Sequence, residues 1–208
     1  AAMIHRLDQN IARLMQSLKN LGLDENTLVF FTSDNGPRGN YSQHLTDLAE
    51  FFDSNGPLRG YKRDLYEGGV RVPMIVRWPG EITPGSESDV PWYFTDIMPT
   101  LADLVDTPVP EVADGVSILP VLLQKQYTEA DRYLYWEFYE GGYKQSIRWK
   151  NWKGIRMQKD GPLELYDLDT DLSEEHDIAS EYQGIVLQME EMMAKEHVDS
   201  ENYPLSEY

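Results

Sequence analysis

The sequence predicts an α/β layer followed by a small α+β subdomain, and three observations predict it. Residues 2–21 repeat apolar side chains at helical spacing, and the β-branched and aromatic run Thr27–Ser33 follows them. A second strand pattern, PMIVRW (73–78), comes only after a connection of about 38 residues. Beyond residue 125, four strand patterns succeed one another at short spacing before a Met-rich helix. This divides the chain into residues 1–125, part of a larger α/β layer, and residues 126–208, an antiparallel sheet with a terminal helix.

Each element has a local reason. Ile4, Leu7, Ile11, Leu14, Leu18 and Leu21 fall three or four apart, which places them on one face of a helix that Gly22 closes. Thr27–Ser33 carries little polarity and reads as a buried strand. The stretch from Asp34 to Arg71 shows little periodicity and reads as a loop, yet it is rich in Phe, Leu and Tyr, which favours order. PGEITPG (79–85) is turn-rich, and Asp96–Val105 suits a helix that tolerates Pro99 in its first turn. DGVSILPVLL (114–123) suggests a turn and a short helix. YLYWEF (133–138), YKQSIRW (143–149), KGIRMQ (153–158) and LELYDL (163–168) are separated by Gly, Asn and Asp-Gly-Pro, as in a meander. Ile185, Met189, Met192 and Met193 mark the closing helix.

Composition narrows the function. The chain has 208 residues, 41% of them hydrophobic, and no apolar run of the roughly 18 residues a membrane span needs. It begins in a helical pattern without Met, which suggests a fragment or processed product. With no cysteine it can form neither disulfides nor thiolate zinc sites. A formal charge of −18 argues against nucleic acid or an anionic membrane as partner. That charge is uneven: residues 160–208 hold 15 acids against one base, whereas Asp34–Arg71 holds six acids and five bases. The acidic tail reads as a solvated surface, and the loop has been spared its charge.

LVFFTSDNGPRG (28–39) ends a strand in Asp34-Asn35-Gly36-Pro37. Such residues turn a chain, and they also present oxygen ligands at the carboxyl edge of a sheet. Farther along, Gly56, Gly60, Gly68 and Gly69 surround Arg59, Lys62, Arg63 and Arg71. Glycines let the backbone pass close to a ligand and cations suit an anion, although solvated basic residues in a Gly-rich turn look the same.

TLVFFTSDNGP, GPLRGYKRDLYEGGVRVPMIVRWPG, FTDIMPTLADL, DGVSILPVLL and the run from RWKNWKGIRM to GPLELYDLDTDLSEEHDIA follow one another in an order that resembles formylglycine-dependent sulfatases. The resemblance covers nearly the whole chain. It is nearest the arylsulfatase A-like and bacterial carbohydrate-sulfatase branch of the alkaline phosphatase superfamily. It implies the carboxyl-terminal part of that family's α/β sandwich. Asp34 and Asn35 are then ligands of a calcium ion, with magnesium as an alternative, and hard oxygen donors suit both. Gly60, Lys62, Glu67, Gly68 and Gly69 match the family's Gly-x-Lys-x-x-x-x-Glu-Gly-Gly pattern. Lys62 is thereby a sulfate-oxygen ligand, its compact ammonium suited to charge on a transferring sulfuryl group. The substrate is a sulfated carbohydrate or an aryl sulfate, and a periplasmic or secreted setting is implied.

No Cys-x-Pro-x-Arg or Ser-x-Ala-x-Arg motif occurs, so the formylglycine nucleophile is expected to lie outside this chain, with the remaining metal and sulfate ligands. The amino-terminal half of the same sulfatase is then the required partner, and the chain alone is expected to be inactive. His44 is a candidate substrate contact, although YSQHLTDLAEFF departs from the family's wording. Arg59 and Arg71 suit loop carbonyls and acids as well as substrate; His5 and His197 read as surface residues. Trp92, Trp136 and Tyr139 suit a sugar face or a core, and NYS at Asn40 is a glycosylation sequon of little specificity. Two rival readings stand. One is a phosphodiesterase or phosphonate hydrolase of the superfamily, which would place a His near the metal pair; the other is a non-catalytic paralogue that binds calcium or a sulfated glycan.

Overall fold

The computed structural model describes residues 1–39, 42–127 and 132–204, so the Asn40 sequon lies outside the described residues. Contacts group the chain into two compact units. One comprises Ala1–Thr32 and Met74–Ala130, the other Ser33–Pro73 and Asp131–Tyr208. The elements are α/β in class, with a four-stranded antiparallel sheet and a terminal helix.

In the first unit, α1 (Ala2–Asn20) follows the predicted stripe, and Gly22 takes the left-handed φ of 70° that ends the helix. None of its residues is buried; Ile4 is 68% exposed and Leu14 52%. β1 (Val29–Thr32) pairs antiparallel with β2 (Met74–Arg77), Val29 facing Arg77 and Thr32 facing Met74. The expected burial of Thr27–Ser33 does not hold here. Two strands alone cannot cover both faces, and Phe31 and Ile75 stay exposed. Arg77 binds both carboxylate oxygens of Asp24, at 2.9 and 2.8 Å.

Helix α4 (Ile97–Leu104) explains two of the quoted motifs. Asp96 is fully buried, and its carboxylate accepts the backbone N–H groups of Tyr93 and Val116. Thr100 donates to the Asp96 carbonyl and accepts from the Ile118 N–H. FTDIMPT is thus laced to DGVSI, and the short helix α5 (Leu119–Leu122) follows. These buried polar groups are all satisfied by one another.

The second unit is layered. β3 (Tyr133–Phe138), β4 (Lys144–Trp149), β5 (Trp152–Arg156) and β6 (Glu164–Asp167) form the meander in order. Ile147, Gly154 and Leu165 lie side by side across β4, β5 and β6. Ile147 and Leu165 form a core with Val186, Met189 and Met193 of α6 (Gln183–Glu196), and that core covers one sheet face. The next row, Arg148, Lys153 and Tyr166, turns to the opposite face. That face is covered by Leu65 and Tyr66 from the long connection.

Two expectations are corrected here. The Asp34–Arg71 connection is not all loop, because α2 (Gln43–Phe51) forms within it, with the Ser42 hydroxyl accepting the Leu45 N–H. A four-residue turn of helix, α3 (Glu67–Val70), follows. His197 is not a free surface residue, being only 17% exposed in its side chain. Its Nδ1 lies 2.6 Å from Glu137, which also accepts the hydroxyls of Tyr135, Tyr139 and Tyr143. Burial alone would lower the His197 pKa, but Glu137 and Asp199 outweigh it and raise it.

Candidate functional site

β1 runs out at Thr32, and the chain turns through Ser33-Asp34-Asn35-Gly36-Pro37, where the Ser33 hydroxyl donates to the Asn35 carbonyl at 2.9 Å. Asp34 is exposed and Asn35 half-buried. Two backbone hydrogen bonds tie this turn to the Gly-rich segment. Gly36 N–H donates to the Gly69 carbonyl at 2.9 Å, and Lys62 N–H donates to the Pro37 carbonyl at 2.9 Å. A third strip is added by Gly68 N–H, which donates to the Arg59 carbonyl at 2.7 Å.

The close approach of these strips explains the glycine pair. A Cβ at Gly36 would sit 1.8 Å from the Gly68 carbonyl oxygen, and one at Gly69 would sit 2.1 Å from that of Asp64. No side chain fits there. The Asp34-Asn35 turn and the Lys62 segment are thereby held in one piece of backbone. Asn55 adds to it, its amide donating to the carbonyls of Leu58 and Gly60. Beside the turn lies a cleft of about 610 Å³ whose lining includes Ser33, Asn35, Pro37, Asn55, Leu58 and Arg71.

The predicted site residues separate into groups. Asp34, Asn35 and Lys62 share the interlocked backbone, although neither Asp34 nor Lys62 lines the cleft. His44 stands exposed in the first turn of α2, and no hydrogen bond described here joins it to that interlock. Arg59 donates to the Glu174 carbonyl at 2.6 Å and to the Tyr166 hydroxyl at 3.2 Å, with its guanidinium 3.9 Å over the Tyr66 ring. Arg63 pairs with Glu140 at 2.5 Å and holds a φ of 80°. Arg71 reaches 3.9 Å from Glu67. Trp136 packs against the core beneath the Lys153 ammonium.

Sequence reasoning missed the charged layer under this loop. Lys153 is 0% exposed on a central strand, and its Nζ lies 2.9 Å from Glu67, itself 2% exposed. Arg148 stands 3.7 Å from the same carboxylate. Burial pushes the Glu67 pKa up, but Lys153, Arg148 and Arg71 outweigh it, so Glu67 titrates below its usual range. Glu174, fully buried, accepts the Glu67 N–H at 2.7 Å, and burial pushes its carboxyl up to about 7. The available signal was a lysine within the strand pattern KGIRMQ (153–158), since a lysine is almost never fully buried without a partner.

A carboxylate and an amide oxygen at a strand's end fit a hard cation such as calcium, which takes roughly six to eight oxygens. Among the described residues, no three His, Cys, Asp or Glu side chains gather into a metal-holding cluster. Asp34 and Asn35 would supply only two donors of such a shell.

Two family models match, one described as Sulfatase over residues 1–107 and one described as N-sulphoglucosamine sulphohydrolase, C-terminal, over residues 60–199. An N-acetylgalactosamine-6-O-sulfatase of Bacteroides thetaiotaomicron is 31% identical, over 91% of this chain and 40% of its own length. The steryl-sulfatase of Mus musculus is 35% identical, over 73% of this chain and 24% of its own. A solved structure in complex with its substrate D-glucosamine-2-N,6-O-disulfate superposes with a TM-score of 0.74 at 30% identity, over 92% of this chain and 39% of that one. The chain thus spans at most about 40% of the curated relatives it matches. With family models covering both its halves and relatives that agree across its length, this chain belongs to the sulfatase family of the alkaline phosphatase superfamily.

Proposed function

We propose that the intact protein hydrolyses sulfate esters of carbohydrates, and that this chain supplies its Asp34, Asn35 and Lys62 to the site. The observation that carries this reading is the backbone interlock. It brings the Asp34–Pro37 turn and the Lys62 segment together through the Gly36–Gly69 and Lys62–Pro37 hydrogen bonds. Asp34 and Asn35 act as oxygen ligands of a calcium ion, which supplies positive charge beside the ester when bound. Lys62 holds a non-bridging sulfate oxygen and offsets charge that grows as the ester oxygen departs. Catalysis by these residues is a matter of placement and fixed electrostatics, as in phosphoryl transfer. The nucleophile and the other ligands are provided by the amino-terminal half, and the chain alone does not turn over. A carbohydrate substrate is favoured by the named substrates of the amino-sugar relatives.

The test is release of inorganic sulfate by the intact protein from a panel of sulfated amino sugars and an aryl sulfate. Release that stops on calcium chelation and in Asp34→Ala, with the melting transition retained, is the expected result. Turnover of phosphonate or phosphodiesters with no sulfate release would favour the rival hydrolase. Calcium or sulfated-glycan binding without any hydrolysis would favour the non-catalytic one.

A further inference from the structure

The Lys62 loop rests on charges that come from the far end of the chain. Lys153, the second residue of β5, has no exposed surface, and its Nζ donates to Glu67 Oε1 at 2.9 Å. Glu67 begins α3 and leads directly into Gly68 and Gly69. Gly69 in turn accepts the Gly36 N–H, and Gly68 donates to the Arg59 carbonyl. From the other side, Glu174 reaches the Glu67 N–H at 2.7 Å while its own carbonyl accepts from Arg59. The glycines that fix the Asn35 turn against the Lys62 segment thus follow a residue, Glu67, that two buried charged side chains, Lys153 and Glu174, anchor.

A buried ion pair is a weak source of stability, since apolar residues of the same volume do as well or better. What such a pair does supply is direction, because an ammonium and a carboxylate accept few geometries. Among the described residues, Glu67 Oε2 and Glu174 Oε1 are buried without a hydrogen-bond partner, a cost that a purely structural core would avoid. The register also matters. Arg148 and Lys153 face each other across β4 and β5 and converge on the one Glu67 carboxylate.

We propose that Lys153, acting through Glu67, is a positioning residue that sets the Lys62 ammonium and the Asn35 turn for the sulfate group. This rests on the sulfate-ligand role of Lys62 given above. Lys153 touches no substrate; it holds the Glu67–Gly69 segment, and that segment holds both functional strips.

The experiment is a double-mutant cycle in the intact protein between Lys62→Ala and the paired change K153M/E67Q. The paired change removes both charges at nearly constant volume, so neither member of the pair is left as a lone buried charge. Two quantities are measured: turnover on the best sulfated sugar, and the dissociation constant for inorganic sulfate by calorimetry. K153M/E67Q should keep its melting transition and lose turnover on the order of 100-fold, the cost of misplacing a site by about 1 Å. Its sulfate affinity should fall about tenfold, as for one charge-assisted hydrogen bond. Lys62→Ala should then cost far less in that background than in the wild type, because the two changes disable the same group. Glu67→Gln alone strands the buried Lys153 ammonium without its carboxylate and should lower the melting temperature, which the paired change should not. A folded K153M/E67Q protein with wild-type turnover and sulfate affinity overturns the inference, as do losses that multiply in full with Lys62→Ala. If Lys62→Ala itself is harmless, the sulfate-ligand reading of Lys62 is what fails.

Discussion

Burial pushes the Glu174 carboxyl from its ordinary 4.5 up to about 7, with Lys153 and the Glu67 N–H pulling the other way and the Glu67 charge adding to the rise. The folded protein therefore holds this proton more tightly than the unfolded chain does. Stability from Glu174 is complete below pH 4.5 and is lost as the pH rises through about 7. Glu67 has the opposite sign, since its lowered pKa contributes stability that disappears as the pH falls. Glu174→Gln keeps an oxygen for the Glu67 N–H and cannot ionise. Relative to wild type, it should grow more stable as the pH rises from 4.5 to 7, when chemical denaturation is followed at several pH values. A wild-type-minus-variant difference that stays flat over that range would show that the carboxyl ionises freely. Glu174 was not visible in the sequence as anything but one acid in an acidic tail, because its role depends on a contact 107 residues away.

Helix α1 and the β1–β2 pair raise a question at the scale of elements. The apolar stripe of α1 forms as its spacing dictates, yet Met3, Ile4, Leu7 and Leu14 are all at least half exposed. On the two strands, Phe31 and Ile75 are also exposed, at 40% and 62%. Apolar faces of this kind ordinarily mark surfaces that meet other protein. Because the chain covers only about 40% of its bacterial relative, these faces are proposed to pack on the rest of the protein. The separate chain should then self-associate, seen as oligomers in light scattering and as dye binding to exposed apolar surface. A monodisperse monomer with a sharp reversible melt would contradict this. The same elements show what a sequence can and cannot convey. The meander was legible strand by strand, since hairpin signals are local; YLYWEF is β3 without adjustment, while KGIRMQ (153–158) shifts to Trp152–Arg156. The burial of Thr27–Ser33 was misjudged because a strand's hydrophobicity reports what it is built to meet, not what this chain provides. α2 was missed because one turn of capping and a short Leu45–Leu48–Ala49 pattern were outweighed by the surrounding Gly and Pro.

In the molecule as a whole, the turn proposed to bind metal and the lysine proposed to bind sulfate, 27 residues apart in sequence, are joined by backbone and backed by a charged layer from the carboxyl-terminal sheet. Motif order singles out Asp34, Asn35 and Lys62 as candidates. The charged layer was not legible, because the pairing of Lys153 with Glu67 spans 86 residues and leaves no local pattern. The most direct measurement is turnover of a sulfated sugar by the intact protein carrying Lys62→Ala, set beside Arg63→Ala. Removing one preorganised donor to the sulfuryl oxygens should lower turnover on the order of 100- to 1000-fold and spare calcium binding. Lys62→Arg should recover little, because a planar guanidinium does not fill the place of an ammonium. Arg63 pairs with Glu140 at the surface, so its loss should cost at most about 1 kcal/mol of stability and leave turnover nearly unchanged. Equal losses at positions 62 and 63 would contradict the account, because they would mean that the loop offers only general positive charge.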